Sequence, residues 1–259
     1  MTIAEPIRSG PLATFNPVSK VAAALIVSAV LLVSIDWVSA AVALLLELVL
    51  FAFARLPFGV MVRRTAPVWV AAPLAGVTTA LYGQTSGTVY VHWLAVEVSQ
   101  GSLQLAVATI LRILAIGLPA VLLFVTIDPT DLADGLAQLL RLPARFVVGG
   151  LAGLRLVGLF IDDWRALTLA RRARGVAESG AVRRMLGQAF ALFVLSIRRG
   201  TKLATAMEAR GFGGPGARTW ARPSVFRGRD WALLILAAVV ATTAAAVSIG
   251  VGSWNVVGS

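Results

Sequence analysis

Positive charge in this chain is confined to a few blocks, and long apolar runs separate them. Of its 23 lysines and arginines, 22 lie in the N-terminal tail and first-helix boundary, in 55–64, or in 128–230. Only Arg112 falls inside an apolar run. None lies in the turn around Asp36, in 83–102, or after residue 251. With 58% hydrophobic residues in long, nearly uncharged stretches, the chain is too apolar for an ordinary soluble domain, and the stretches belong in lipid.

Five spans follow from the pattern. Residues 21–54 read as one helix would be about 51 Å long, against a hydrocarbon core of about 30 Å. Two helices, 21–35 and 37–54, joined tightly at Asp36, fit better. A cleaved signal peptide is the rival for the first run, weakened by the second apolar segment that starts almost at once. A third span, 65–82, contains Pro67 and Pro73, which neighbouring helices in a bundle can tolerate. The fourth is 102–127 and the fifth 231–251. The bias of lysine and arginine toward the cytoplasm places the N-terminus, 55–64 and 128–230 inside and the C-terminus outside. The same bias accounts for the net charge of +11, so nucleic-acid binding is not the reading it supports. Cysteine is absent, which excludes disulfides and thiolate metal sites, and the single histidine, His92, stands in an external loop.

The expected organisation is therefore all-α: a membrane domain over 1–127, a cytoplasmic module over 128–230, and a last span with an external tail over 231–259. Asp128-Pro129 reads as a helix start, with Asp at the cap and Pro at the first position, and the short helix runs to Leu142 before Pro143. Two long helices follow, at 144–174 and 181–210, separated by a polar turn with Glu178, Ser179 and Gly180. In the second, Met185, Phe190, Phe193 and Ile197 recur at helical spacing, with Arg183, Arg184, Arg198 and Arg199 on the other side. Such a helix can pack on protein or lie along a membrane surface.

Each long helix closes on the pattern Ala-x-x-Ala-Arg-Gly, at Ala170–Gly175 and again, 36 residues on, at Ala206–Gly211. One copy alone reads as a helix end, with Gly supplying the left-handed residue and Arg complementing the helix dipole for about 0.3–1 kcal/mol. Two copies in one module favour a recognition role. Arginine presents a planar fork of donors to a carboxylate or to carbonyl oxygens, and the small neighbours Ala173, Gly175, Ala209 and Gly211 admit a partner's backbone.

On these residues the chain resembles the transmembrane T-component of energy-coupling factor (ECF) transporters, the scaffold of cobalt, biotin and vitamin importers. Thr126-Ile127-Asp128-Pro129, leading through Asp131-Leu132 and Leu136 to Leu142-Pro143, is also similar to that family. The resemblance implies that Arg174 and Arg210, with Ala173, Gly175, Ala209 and Gly211, dock on two cytoplasmic ABC-type ATPase subunits. It implies a non-catalytic subunit of a multi-pass prokaryotic cell-membrane complex. ATP and Mg would be bound by the ATPases, no cofactor by this chain, and substrate by a separate small membrane subunit. A stand-alone channel or secondary carrier is the alternative, and the spans hold very few polar groups to line its path.

Gly211-Phe212-Gly213-Gly214-Pro215-Gly216 satisfies G-x-G-x-x-G by letter, but it follows a helix and places Pro where a helix would open, so it reads as an exit loop. There is no phosphate-binding G-x-x-x-x-G-K-[ST] motif, and nothing resembles a hydrolytic triad. Two charges lie midway along spans, Glu47 and Arg112; one reading pairs them across the bundle, and the other gives each a different neighbour or lets it snorkel. Asp162-Asp163 is expected to pair with nearby arginines rather than with a metal.

Overall fold

The computed structural model describes residues 11–53, 58–83, 86–93, 96–175, 180–214 and 219–255. After a single 3-10 turn at Pro11–Thr14, the described residues form α1 (Pro17–Val33), α2 (Trp37–Phe53), α3 (Phe58–Tyr82), β1 (Val89–Trp93), β2 (Val96–Ser99), α4 (Gln100–Val125), α5 (Pro129–Gln138), α6 (Ala144–Ala173), α7 (Ala181–Ala209) and α8 (Gly228–Val251). The all-α membrane architecture read from the sequence holds. One addition is the hairpin β1–β2, antiparallel with Trp93 opposite Val96, in the segment expected to be an external loop.

Several boundaries differ from expectation for local reasons. Helix α1 starts at Pro17 because the Asn16 side chain caps it, accepting from the Val18 N–H at 2.9 Å. Helix α3 starts seven residues before the expected span, so Arg63 and Arg64 lie on its early turns. Helix α5 ends at Gln138 rather than Leu142, and Arg141 takes a left-handed φ of 53° before Pro143. By length and composition, α4, α6 and α8 can cross a membrane, while α1 and α2 are apolar but 17 residues each. Helix α6 thus carries the composition of a span although the charge pattern assigned it to the polar module.

The chain divides into two compact units. Among the described residues, those from 11 to 135 and from 225 to 255 form the bundle unit, and those from 136 to 224 form an arginine-rich unit. The division lies inside the expected limits of 128 and 230, because the flanking residues are bonded into the bundle. In the bundle, α1, α2, α4 and α8 meet on small side chains: Ala23, Val27 and Leu31 pack with Ala43, Ala115, Ala237, Val240 and Ala244. Helix α3 lies along α4, where an added Cβ at Gly76 would stand 2.4 Å from Ile110 and one at Gly117 2.7 Å from Val68. Small residues at these points let the helices approach closely, as membrane packing requires.

Two polar knots close the ends of the bundle. At one end the first turn of α1 holds both chain crossings. Lys20 is buried, and its ammonium donates to the Thr126 carbonyl at 3.1 Å and to Thr126 Oγ1 at 3.0 Å. The Asp230 carboxylate accepts from the Asn16 N–H at 2.6 Å, Ser19 Oγ at 3.0 Å and the Arg227 N–H at 2.8 Å. At the other end Asp36 accepts from Ser34 Oγ, from the Ser39 N–H at 2.6 Å and Oγ at 2.7 Å, and from Ser248 Oγ on α8 at 2.6 Å. The Ile35 N–H also donates to the Asn255 carbonyl at 2.7 Å, which ties the first hairpin to the end of α8.

Burial pushes the Asp36 carboxyl upward, but the hydrogen bonds from Ser248, Ser34 and Ser39 outweigh it and hold the group below the usual carboxylate value. An acid depressed in the folded state stabilises the fold above its unfolded value of about 4 and loses that contribution as pH falls through the lower folded value. Asp36→Asn should therefore lower the melting temperature in detergent at pH 7. The gap to wild type should shrink in a series of melts taken toward pH 3, and a gap independent of pH would contradict the role of the charge.

Candidate coupling site

The two arginine motifs have the same backbone geometry. Arg174 and Arg210 are the terminal cap residues of α6 and α7, with φ near −90° and ψ near 4° and 11°. Gly175 and Gly211 follow with φ of 69° and 77°, a left-handed conformation that side-chain-bearing residues rarely adopt. At the second motif the closure is a complete Schellman arrangement. The Phe212 N–H donates to the Met207 carbonyl, and the Gly211 N–H to the Glu208 carbonyl, both at 2.9 Å. At the first, the Gly175 N–H donates to the Arg172 carbonyl at 3.1 Å. The helix-end reading of both motifs is thus confirmed in structure.

This geometry separates the arginines of the first cluster. Arg174, not Arg172, is the counterpart of Arg210. Arg171 is committed inside the unit, donating to the Gly187 carbonyl of α7 at 3.0 Å. Gly187 permits this approach, since a Cβ there would stand 3.2 Å from the guanidinium. Both cap arginines, in contrast, are exposed, and among the described residues neither has a hydrogen-bond acceptor or an ion-pair partner. Glu178 and Ser179, expected in the turn between the helices, lie outside the described residues.

Internal polar bonds hold α6 and α7 together as a pair. Arg199 meets Asp163 at 2.6 Å, and Gln188 donates to Thr168 Oγ1 at 3.2 Å. Asp162 faces Arg165 one turn away at 3.5 Å, an exposed pair of little weight. The adjacent aspartates therefore pair with arginines, as their setting implied. Much of the apolar surface of this pair is uncovered within the chain. Phe190, Phe193, Met185 and Ile197 of α7 and Phe146 and Leu154 of α6 are all more than half exposed. Isolated exposed apolar residues are ordinary, whereas a continuous face of them marks a partner or lipid.

The Glu47–Arg112 pair does not form. Neither carboxylate oxygen of Glu47 has a hydrogen-bond partner, nor do Nε and Nη2 of Arg112. The reason is depth. Glu47 lines an apolar cavity of about 310 Å³ with Pro119 and Leu123, which lie seven and eleven residues beyond Arg112 along α4. At 1.5 Å per residue, that places Arg112 about 10–16 Å nearer the other end of the helix. Replacing a buried carboxyl that has no hydrogen-bond partner with an apolar side chain of similar size should favour the fold, so Glu47→Leu is expected to raise thermal stability in detergent. The gain should be the same in wild-type and Arg112→Gln backgrounds, within about 0.5 kcal/mol. Coupling well above that limit would restore the pair.

Sequence reasoning missed Lys20, Asp230 and the pocket beside Arg210. An Asn-Pro dipeptide ahead of α1 was the available signal for the first of these knots, but nothing local indicates its partners 106 and more than 200 positions away. Among the described residues, no group of histidine, cysteine, aspartate or glutamate is arranged to hold a metal ion.

Comparison with known proteins agrees with this arrangement. Residues 8–220 match the family described as CbiQ, cobalt transport protein. The energy-coupling factor transporter transmembrane protein EcfT of Brevibacillus brevis is 29% identical over 227 residues, covering 82% of this chain and 83% of the relative. That of Listeria innocua is 28% identical over 239 residues, covering 87% and 89%. That of Limosilactobacillus fermentum is 30% identical over 168 residues, covering 60% and 63%.

Proposed function

The chain belongs to the CbiQ cobalt transport protein family, the transmembrane components of ECF transporters, and we propose that it couples two cytoplasmic ATPases to a separate substrate-binding membrane subunit. The observation that carries this reading is the pair of cap arginines. They share one backbone geometry, stand exposed with no side-chain acceptor among the described residues, and end two helices bonded to each other at Asp163–Arg199, Thr168–Gln188 and Arg171–Gly187. An arginine fork held at a rigid helix end suits a carboxylate or carbonyl groove on a partner, and it loses little side-chain freedom on docking.

In this reading each ATPase receives one arginine, and nucleotide-driven movement of the ATPase pair moves α6 and α7 together. The exposed apolar face of these helices supports contact with the substrate-binding subunit or with lipid. The chain is non-catalytic, takes no cofactor, and sits in the prokaryotic cell membrane with its N-terminus inside and its C-terminus outside. The substrate is a vitamin or metal ion chosen by the partner. A stand-alone carrier is less well supported, because the cavity of the bundle is lined by apolar groups with Glu47 as its lone charge.

Arg174→Ala and Arg210→Ala should leave the protein inserted and within about 1 kcal/mol of wild-type stability, since each removes only an exposed helix-end charge. Each should reduce ATPase retention and substrate uptake by about ten-fold, comparable to losing one charge-assisted pair, and the double variant should abolish both. Normal assembly and uptake in the double variant would reduce the motifs to helix caps.

A further inference from the structure

Arg210 does not stand alone at its helix end. It lines a pocket of about 730 Å³ with Arg145 and Val148 of α6 and with Met207, Phe212 and the glycines 211, 213 and 214. The pocket forms because α6 begins where α7 ends. Helix α6 opens on Pro143 without a side-chain cap, and the chain leaving α7 turns through Gly211 and Gly213, both with φ near 80°. Polar and apolar surface meet there, and the lining includes two arginines together with Val148, Met207 and Phe212.

Among the described residues, neither guanidinium has a hydrogen-bond acceptor or an ion-pair partner. Among the described residues Arg145 has no acceptor and no acidic partner, and its one specific contact is with the ring of Phe146, 5.0 Å from the centroid. That stacking orients the fork without consuming its N–H donors. Arg165, Arg171 and Arg199 of the same unit are committed to Asp162, the Gly187 carbonyl and Asp163. Two unspent arginines facing one pocket constitute a receptor for an external oxyanion.

We propose that Arg145 is a second docking arginine, and that it and Arg210 together receive one carboxylate side chain of the ATPase seated at the second motif. The inference rests on the docking reading above and goes beyond it, since no sequence motif marks Arg145. It also makes the two docking ends unequal. The first presents Arg174 at the end of α6, whereas the second grips with residues from both helices. A carboxylate side chain suits the pocket better than a lipid phosphate, because Val148, Met207 and Phe212 line it together with the two arginines and offer apolar contact to the stem that carries the carboxylate.

The test uses the co-expressed complex purified in detergent, with ATPase retention measured across a sodium chloride series for wild type, Arg145→Ala, Arg145→Lys, Arg210→Ala and Arg155→Ala. Arg155 is an exposed arginine of α6 that does not line the pocket. Arg145→Ala should release one ATPase about ten-fold faster and flatten the salt dependence, and Arg145→Lys should recover only part of the loss because the planar fork is gone. Combined with Arg210→Ala, the losses should be less than additive, as for two residues gripping one group. If Arg145→Ala behaves like Arg155→Ala while Arg210→Ala still releases ATPase, the second arginine is refuted and the docking reading stands. If Arg210→Ala is also without effect, the docking reading itself fails. A parallel arm measures flotation of the chain alone with phosphatidylglycerol vesicles against phosphatidylcholine vesicles. Loss of anionic-vesicle binding in Arg145→Ala, with ATPase retention unchanged, would assign the pocket to a lipid headgroup and overturn the proposal.

Discussion

The bundle depends on one turn of helix, Asn16 to Lys20, which holds the chain where it leaves the membrane helices and where it returns. A buried ammonium and a buried carboxylate are each costly in a low-dielectric setting unless their hydrogen-bonding capacity is filled. Here Lys20 is satisfied by Thr126, the cap residue of α4, and Asp230 by two backbone amides and the Ser19 hydroxyl. Asn16 adds a bond from its amide to the Val225 carbonyl at 3.3 Å. Removing either charge would leave the groups bonded to it unpaired in place. The apolar contacts of the bundle are made largely by alanine and valine, which bury little area each and leave register to the polar ends.

The same turn gathers distant parts of the bundle, since Thr126 and the Val225–Asp230 stretch are each bonded to it. The second knot, at Asp36, fixes the far ends of α1, α2 and α8 to one another.

Much of this was legible from the sequence because its signals are local. Apolar runs, the Asp128-Pro129 start and the Arg-Gly stops encode the helices within a few residues, and the Ala-Arg-Gly repeat located both cap arginines. Thr130 N–H donating to Asp128 at 2.8 Å is the expected cap at the start of α5. What escaped was non-local. Equal distance along two spans suggested that Glu47 and Arg112 meet, but α4 is longer than α2 and is displaced along it, so the two residues lie at different depths. Arg145 looked like one more positive-inside charge until the start of α6 was seen beside the end of α7. The hairpin β1–β2 was hidden because its short run of alternating residues sits between two strongly apolar spans.

The central claim is that one chain of this protein carries two ATPase sites, one at each cap arginine. It is tested most directly by the mass of the intact complex, measured by native mass spectrometry after gentle purification from cells expressing the partner chains. The account predicts two nucleotide-binding chains for each copy of this protein, and one small membrane subunit. A complex holding a single nucleotide-binding chain, or none, would contradict it.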